Sequence, residues 1–258
     1  MRLKVIGCDV LFREISHWAA RSPHTIDVRF LSRSLHNEPD DLRAALQAEI
    51  DVSEGYDAVV LGYGLCSNAA GYLHARKAPL VLPRAHDCIT LFLGSRERYR
   101  ESFDGTPGTY YYTSGWIERA GTRVERTTVE GQESRDRVYQ DYVRRFGEEN
   151  ARYLMETLHS WWKHYTRAAF IAMRLPGAES VEAWAREQAR EVAREYGWTY
   201  EEIQGDQGLL SRLVCGDWRP EEMLVAPPCS QIVPSYEENV VEATTELQPI
   251  PPRAPRVL

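Results

Sequence analysis

The sequence predicts an α/β protein: a mostly parallel sheet with helices on both faces, arranged as two Rossmann-like lobes that share a cleft. Three observations predict it. Short runs rich in branched apolar residues recur along the chain, each closed by a turn signal, as buried parallel strands are. Segments with the helical period lie between them. The connections are short, as successive βα units require.

The elements follow in order. Residues 3–7 read as a first strand, with Cys8 just beyond it. Residues 10–20 form a helix that places Leu11, Ile15, Trp18 and Ala19 on one face, and Ser22-Pro23 breaks it. Ile26, Val28 and Phe30 alternate inward on a second strand. Asn37 caps the next helix, where Pro39 and Asp40 suit the first turn. Its buried stripe is Leu42, Ala45, Leu46 and Ile50. Residues 58–61 and 79–82 supply strands three and four. A single helix spans about 88–103, and 109–113 is a Tyr-rich fifth strand. An exposed connection is expected over 121–133, then a mostly helical stretch over 134–165 that Gly147 kinks or splits. The βα rhythm resumes with strands at 168–173, 198–203 and 223–226. Helices at 180–196 and 209–214 lie between them, with Trp184 turned inward on the first. The expected divisions are 1–120 as an N-terminal lobe carrying most site residues, 121–234 as a helical connection and second lobe, and 235–258 as a flexible Pro/Glu-rich tail.

Composition bounds the function. The net charge is −7 and no Lys/Arg block stands out, which disfavours a nucleic-acid partner. No run of 18 apolar residues is present to span a membrane. The opening residues lack the long apolar region of a signal peptide, so the expected location is cytoplasmic. In that compartment the 5 cysteines are expected to be reduced, metal-bound or catalytic rather than paired as disulfides.

The reactive groups collect at strand ends. Cys8 follows strand one, His36 lies beyond strand two, Cys66 beyond strand three, and His86, Asp87 and Cys88 beyond strand four. In a parallel sheet these ends share one edge, where ligands of open α/β folds bind. Helices are expected to start after Cys8, after Cys66 and around Cys88, and a thiol at a helix N-terminus is drawn toward thiolate. Cys8, Cys66 and Cys88 with His86 form a ligand set for a borderline metal such as zinc. The three cysteines alone suit an iron–sulfur cluster with one open iron. His86 and His36 are the candidate proton donors or acceptors, with Asp87 fixing the imidazole of His86 or capping a helix. Tyr63, Arg84 and Trp116 are the candidate substrate contacts: Arg84 to anchor an anionic group and Trp116 to wall a pocket.

Each of these residues has a plainer role. A free cysteine often only fills space. No CxxC pair is present, and Cys215 reads as structural. Cys229, after the last strand, either joins the site or only fills space. Gly62-Tyr63-Gly64 carries GxG without a third glycine. That is weak evidence for a nucleotide, and its plainer meaning is a turn where backbone passes close to a neighbour. Asn68 is equally a helix cap or an anion contact.

The motifs GYGLCSN, PRAHDCITLFLGSRERY and PGTYYYTSGWIE, with Tyr153-Leu154-Met155-Glu156 and Gly216-Asp217-Trp218, resemble domain-of-unknown-function family 1638 over roughly residues 3–233. The resemblance places Cys8, Cys66, His86, Asp87 and Cys88 on family motifs, and gives Gly more often where this chain has Cys229. It implies one-carbon metabolism beside corrinoid-dependent methyltransferases, by association alone. The function expected is therefore a metal-thiolate α/β protein, an enzyme acting on a small molecule in methyl-transfer metabolism. The alternatives are a non-enzymatic metal- or cofactor-binding accessory of a methyltransferase system, and a metal-free enzyme with Cys66 or Cys88 as nucleophile and His86 as base.

Overall fold

A computed structural model describes residues 1–119, 139–158, 161–235 and 237–250. The exposed connection expected over 121–133 lies outside them. The described chain is mixed α/β and divides into two units. One is Met1–Tyr99 with Asp206–Leu258, and the other is Arg100–Gly205. The division therefore does not fall near residue 120, because the chain returns to the first unit.

The first unit is a five-stranded sheet in the order β2-β1-β3-β4-β8, formed by β1 (Arg2–Cys8), β2 (Thr25–Leu31), β3 (Ala58–Gly62), β4 (Leu80–Pro83) and β8 (Met223–Ala226). The first four strands pair in parallel, with Leu3 and Val5 of β1 opposite Ala58 and Val60 of β3. The edge strand β8 runs antiparallel to β4, from Leu80 opposite Ala226 to Pro83 opposite Met223. This return strand moves the end of the chain into the first unit. Every residue of β3 and β4 is buried, which is why these strands read as continuous apolar runs. Each fully buried Val or Leu there contributes about 1.5–3 kcal/mol of transfer free energy.

Alternation sends side chains to both faces. Ile6, Val59 and Leu61 join Leu42, Leu46 and Ile50 of α2 (Pro39–Asp51) in one core cluster. On the other face, α1 (Phe12–Ala19) lays Ile15 over Gly7 and Gly62. Its Cδ1 lies 2.5 and 2.7 Å from where their β-carbons would stand. A larger residue at either glycine would push the Ile15 side chain out of its place over the sheet. Helix α8 (Gly208–Cys215) packs against α1.

Several local expectations change. A 3₁₀ turn, Asp9–Leu11, separates Cys8 from α1. The helix expected over 88–103 is two helices, α3 (Cys88–Leu93) and α4 (Arg96–Gly105), because Gly94 takes a left-handed cap at φ 84° with Asp206 packed against it. The tail is partly structured. Strands β9 (Gln231–Pro234) and β10 (Val241–Thr244) pair antiparallel, and the Gln248 amide donates to Gln231 Oε1.

The second unit carries a parallel sheet in the order β5-β6-β7, from β5 (Thr109–Tyr112), β6 (Arg167–Ala172) and β7 (Thr199–Gln204). Helix α5 (Ser114–Arg119) follows β5. Residues 139–146 are helical, and Gly147 at φ 79° separates them from α6 (Glu148–Leu158). Helix α7 (Glu179–Tyr196) buries Ala185, Ala189, Val192 and Ala193 and ends on a left-handed Gly197. Its Trp184, expected inward, is exposed.

Candidate thiol site

The site is built where two loops lock together at the carboxyl ends of β3 and β4. The Leu65 amide donates to the Ala85 carbonyl at 2.8 Å, and the Cys66 amide donates to the His86 carbonyl at 3.0 Å. Gly64 makes this docking possible. A β-carbon there would stand 2.7 Å from both Cα and N of Asp87. The GxG signal is thus a close backbone approach, the plainer of its two meanings. It joins the GYGLCSN and PRAHDC motifs and sets Cys66 beside the start of α3.

No helix follows Cys66. Cys66, Ser67 and Asn68 instead form a left-handed turn at φ 47°, 56° and 64°. Three consecutive non-glycine residues in this region cost on the order of 1 kcal/mol each or more, so the surroundings must impose the turn. Arg43 of α2 does part of this, donating from Nη2 to the Asn68 carbonyl and from Nε to the Gly71 carbonyl. The β9 segment does the rest: the Tyr72 amide donates to the Ile232 carbonyl and the Ala75 amide to the Ser230 carbonyl. Asn68 is therefore a turn residue rather than a helix cap.

Cys8, at the end of β1, lies on the same face of the sheet as Ile6, and both Cys8 and Cys66 pack with the α2-side cluster. Cys88 is the first residue of α3. The three thiols are near enough for their charges to act on one another. Burial raises the Tyr63 pKa most, and the nearby Cys8, Cys66, Asp9 and Cys88 raise it further. Burial pushes the Cys8 thiol up to about 11 and the Cys66 thiol up to about 12, and it raises Cys88 well above the ordinary thiol range. Desolvation outweighs the helix-terminus effect expected at Cys88. All three are neutral thiols near pH 7. Among the described residues, no three His, Cys, Asp or Glu side chains stand in an arrangement that holds a metal as it is.

Tyr63 is the other distinctive feature of the site. It is 2% exposed, and its hydroxyl has no hydrogen-bond partner among the described residues.

Residues 30–214 match the family described as "Protein of unknown function (DUF1638)". The chain belongs to this family. The matched span holds Tyr63, Cys66, Arg84, His86, Asp87 and Cys88, and it stops short of Cys8 and Cys229. No curated protein and no solved structure matches the chain.

The other expected site residues of this DUF1638 chain fall in several places. Asp87 is the N-cap of α3. Its Oδ1 accepts from the Ile89 and Thr90 amides, and its Oδ2 accepts from the Tyr99 hydroxyl. Both oxygens are thus engaged away from His86, whose side chain is exposed. At the junction of the loops His86 contributes its backbone carbonyl. His36 is exposed in a 3₁₀ turn, Arg33–Asn37. Arg84 donates to the carbonyls of Pro220, Asn239 and Val241. It pins the returning C-terminal segment, and burial and the neighbouring Arg96 lower its pKa. It also lines a cavity of ≈ 150 Å³ with Arg96, Glu97 and Leu209, whose walls include none of the cysteines. Trp116 belongs to the second unit, where it packs against the cluster around Tyr112 and Phe170.

Cys215 ends α8 before a left-handed Gly216. Cys229 is an exposed turn residue at φ 62° whose amide donates to the Ala75 and Arg76 carbonyls. Asp9 and Arg43 escaped the sequence reading. Asp9 accepts from the Arg33 amide and so ties the loop after β2 to the site. Its adjacency to Cys8 was the only signal for it, and Arg43 had none.

Proposed function

We propose that Cys8, Cys66 and Cys88 form a thiolate site for a soft or borderline metal, zinc or an iron–sulfur cluster, and that the protein uses it as an enzyme acting on a small molecule. What supports this reading is that three thiols from separate strand ends lie near enough to act on one another and on the buried hydroxyl of Tyr63, which has no partner among the described residues. Three thiols from separate loops give the donor chemistry that zinc or an open-iron cluster requires. All these groups lie in the first unit, so the site needs no cleft shared between lobes.

The burial of Tyr63 and Cys66 favours a small internal ligand over a flat docking surface, and with it the enzyme over an accessory protein. The high thiol pKa values oppose a metal-free nucleophile, which needs the thiolate. A bound metal would reverse that penalty, because its charge stabilises the thiolates it binds. Such a centre with an open position acts as a Lewis acid toward a substrate oxygen or sulfur. His86, exposed at the junction of the loops, is the candidate proton donor or acceptor of this reading. A role in methyl transfer beside a corrinoid protein extends this reading and rests on the family resemblance. Five free cysteines suit a reducing compartment such as the cytoplasm, and among the described residues no helix is long and apolar enough to cross a membrane.

The test is elemental analysis and absorbance of anaerobically purified protein. The expected result is about one zinc per chain, or iron with sulfide-to-iron absorption. Cys8→Ala, Cys66→Ala and Cys88→Ala should each lose the metal, while Cys215→Ala and Cys229→Ala keep it. Reduced wild-type protein that takes up neither metal would sink the proposal.

A further inference from the structure

We infer a second ligand site in the first unit: the cavity lined by Arg84 and Arg96 binds a small, doubly charged oxyanion, either inorganic phosphate or the phosphoryl end of a small molecule. The inference does not depend on the thiol site. The two arginines come from different elements. Arg84 stands just beyond β4 and Arg96 opens α4, and both line one cavity of ≈ 150 Å³. That space is smaller than pockets for drug-sized ligands, and it suits an ion or the anionic end of a larger molecule. Both side chains are partly buried, and among the described residues neither has a carboxylate within ion-pair distance. Their partners are backbone carbonyls instead. Arg84 donates from Nε to Pro220 and from Nη1 to Asn239 and Val241. Arg96 donates from Nη1 to Glu238 and from Nη2 to Glu221. Carbonyls accept hydrogen bonds but carry no net charge. The acidic walls leave the two charges unanswered as well. Glu222 is committed to Arg212 through two bonds of 2.6 Å, and Glu97 and Glu221 are exposed. The arginines are close enough to act on each other. Burial lowers the Arg84 pKa most and Arg96 lowers it next, while Glu242 opposes them with a smaller effect. A guanidinium does not shed its proton in a protein, so deprotonation cannot relieve the repulsion. A bound anion can. Donors remain for it, because Arg84 Nη2 and Arg96 Nε make no hydrogen bond among the described residues. Guanidinium groups match oxyanions in geometry as well as in charge. Two of them favour a dianion over a monoanion, and the start of the 10-residue α4 adds the positive end of its dipole.

The experiment uses the full chain, reduced and freed of phosphate. Inorganic phosphate is titrated by calorimetry at constant ionic strength, with acetate as the singly charged comparison. Glycerol 3-phosphate is titrated alongside: saturable binding of either phosphate supports the site, and the tighter of the two identifies the free ion or the phosphoryl end as its natural occupant. The expected result is saturable binding of a single phosphate per chain at millimolar concentrations or below, with acetate weaker by roughly tenfold or more. Arg96→Gln should weaken phosphate roughly tenfold or more. Arg29→Gln removes the same charge from an exposed pair with Glu49 and should bind phosphate as wild type does. Phosphate should also raise the melting temperature of the wild-type chain above its value in chloride of equal ionic strength, a measurement that stands even where Arg96→Gln fails to fold. Absence of saturable binding, or a melting temperature no higher than in chloride, would overturn the site. Acetate bound as tightly as phosphate would overturn it too, and so would an unchanged affinity in Arg96→Gln. An equal loss in Arg29→Gln and Arg96→Gln would reduce the effect to net charge and overturn it as well. None of these outcomes bears on the thiols.

Discussion

Gly64→Ala tests whether the site depends on the docking of its two loops. The added β-carbon would stand 2.7 Å from Cα and N of Asp87 and 2.8 Å from its carbonyl carbon. These are backbone atoms at the cap of α3, and no side chain can rotate away to make room. The φ of Gly64 is not in the left-handed region, so the cost comes from contact rather than from torsional strain. Overpacking of this kind costs about 1–3 kcal/mol. If the loops part to relieve it, the bonds from Leu65 to Ala85 and from Cys66 to His86 are weakened, at about 0.5–1.5 kcal/mol each. The expected loss is therefore about 1–3 kcal/mol by either route, read by urea denaturation with an unchanged m-value. Metal stoichiometry should fall as well, because Cys66 moves away from Cys88. Gly105→Ala is the control. It has open space around it at the end of α4, and it should change stability by no more than about 0.5 kcal/mol or raise it slightly. A Gly64→Ala protein within about 0.5 kcal/mol of wild type, with full metal content, would refute the argument that this close approach builds the site.

Two further outcomes are expected. Arg84→Ala should free the segment around Asn239 and Val241 to early proteolysis while the thiols still take metal, since Arg84 holds three backbone carbonyls; an intact tail with impaired binding of an anionic ligand would restore the substrate-anchoring role instead. Metal uptake should strengthen steeply with pH. The thiols are raised to about 11 at Cys8 and about 12 at Cys66, and Cys88 is raised with them. Each is protonated at neutral pH and must release its proton to bind, so affinity should climb by as much as about a thousandfold per pH unit. The linkage to folding has the opposite sign. Stability of the metal-free fold is complete below the unfolded thiol pKa near 8.5 and declines as pH rises toward the folded values. A metal affinity that is flat from pH 6 to 9, measured by competition with a chelator, would count against thiolate ligation.

By itself the sequence determined the alternation of elements and the parallel order of the early strands. Branched apolar runs such as Val59-Val60-Leu61 can be satisfied only by burial on both faces. That same local signal placed Cys8, Cys66 and Cys88 at strand ends, and parallel pairing then put those ends on one edge. The tertiary structure alone decided what surrounds them. The antiparallel return of β8 is invisible locally, because a strand does not record which edge it joins. Arg84 looks like an anion anchor for the thiol site until three C-terminal carbonyls surround its guanidinium. Asp87 looks like a partner for His86 until Tyr99, twelve residues on, takes its second oxygen. The left-handed turn at Cys66 needs Arg43 and β9 to hold it. The thiol pKa values, expected to fall at helix starts, rise instead, because desolvation depends on all that packs around a sulfur and the helix-end effect on only one turn of backbone.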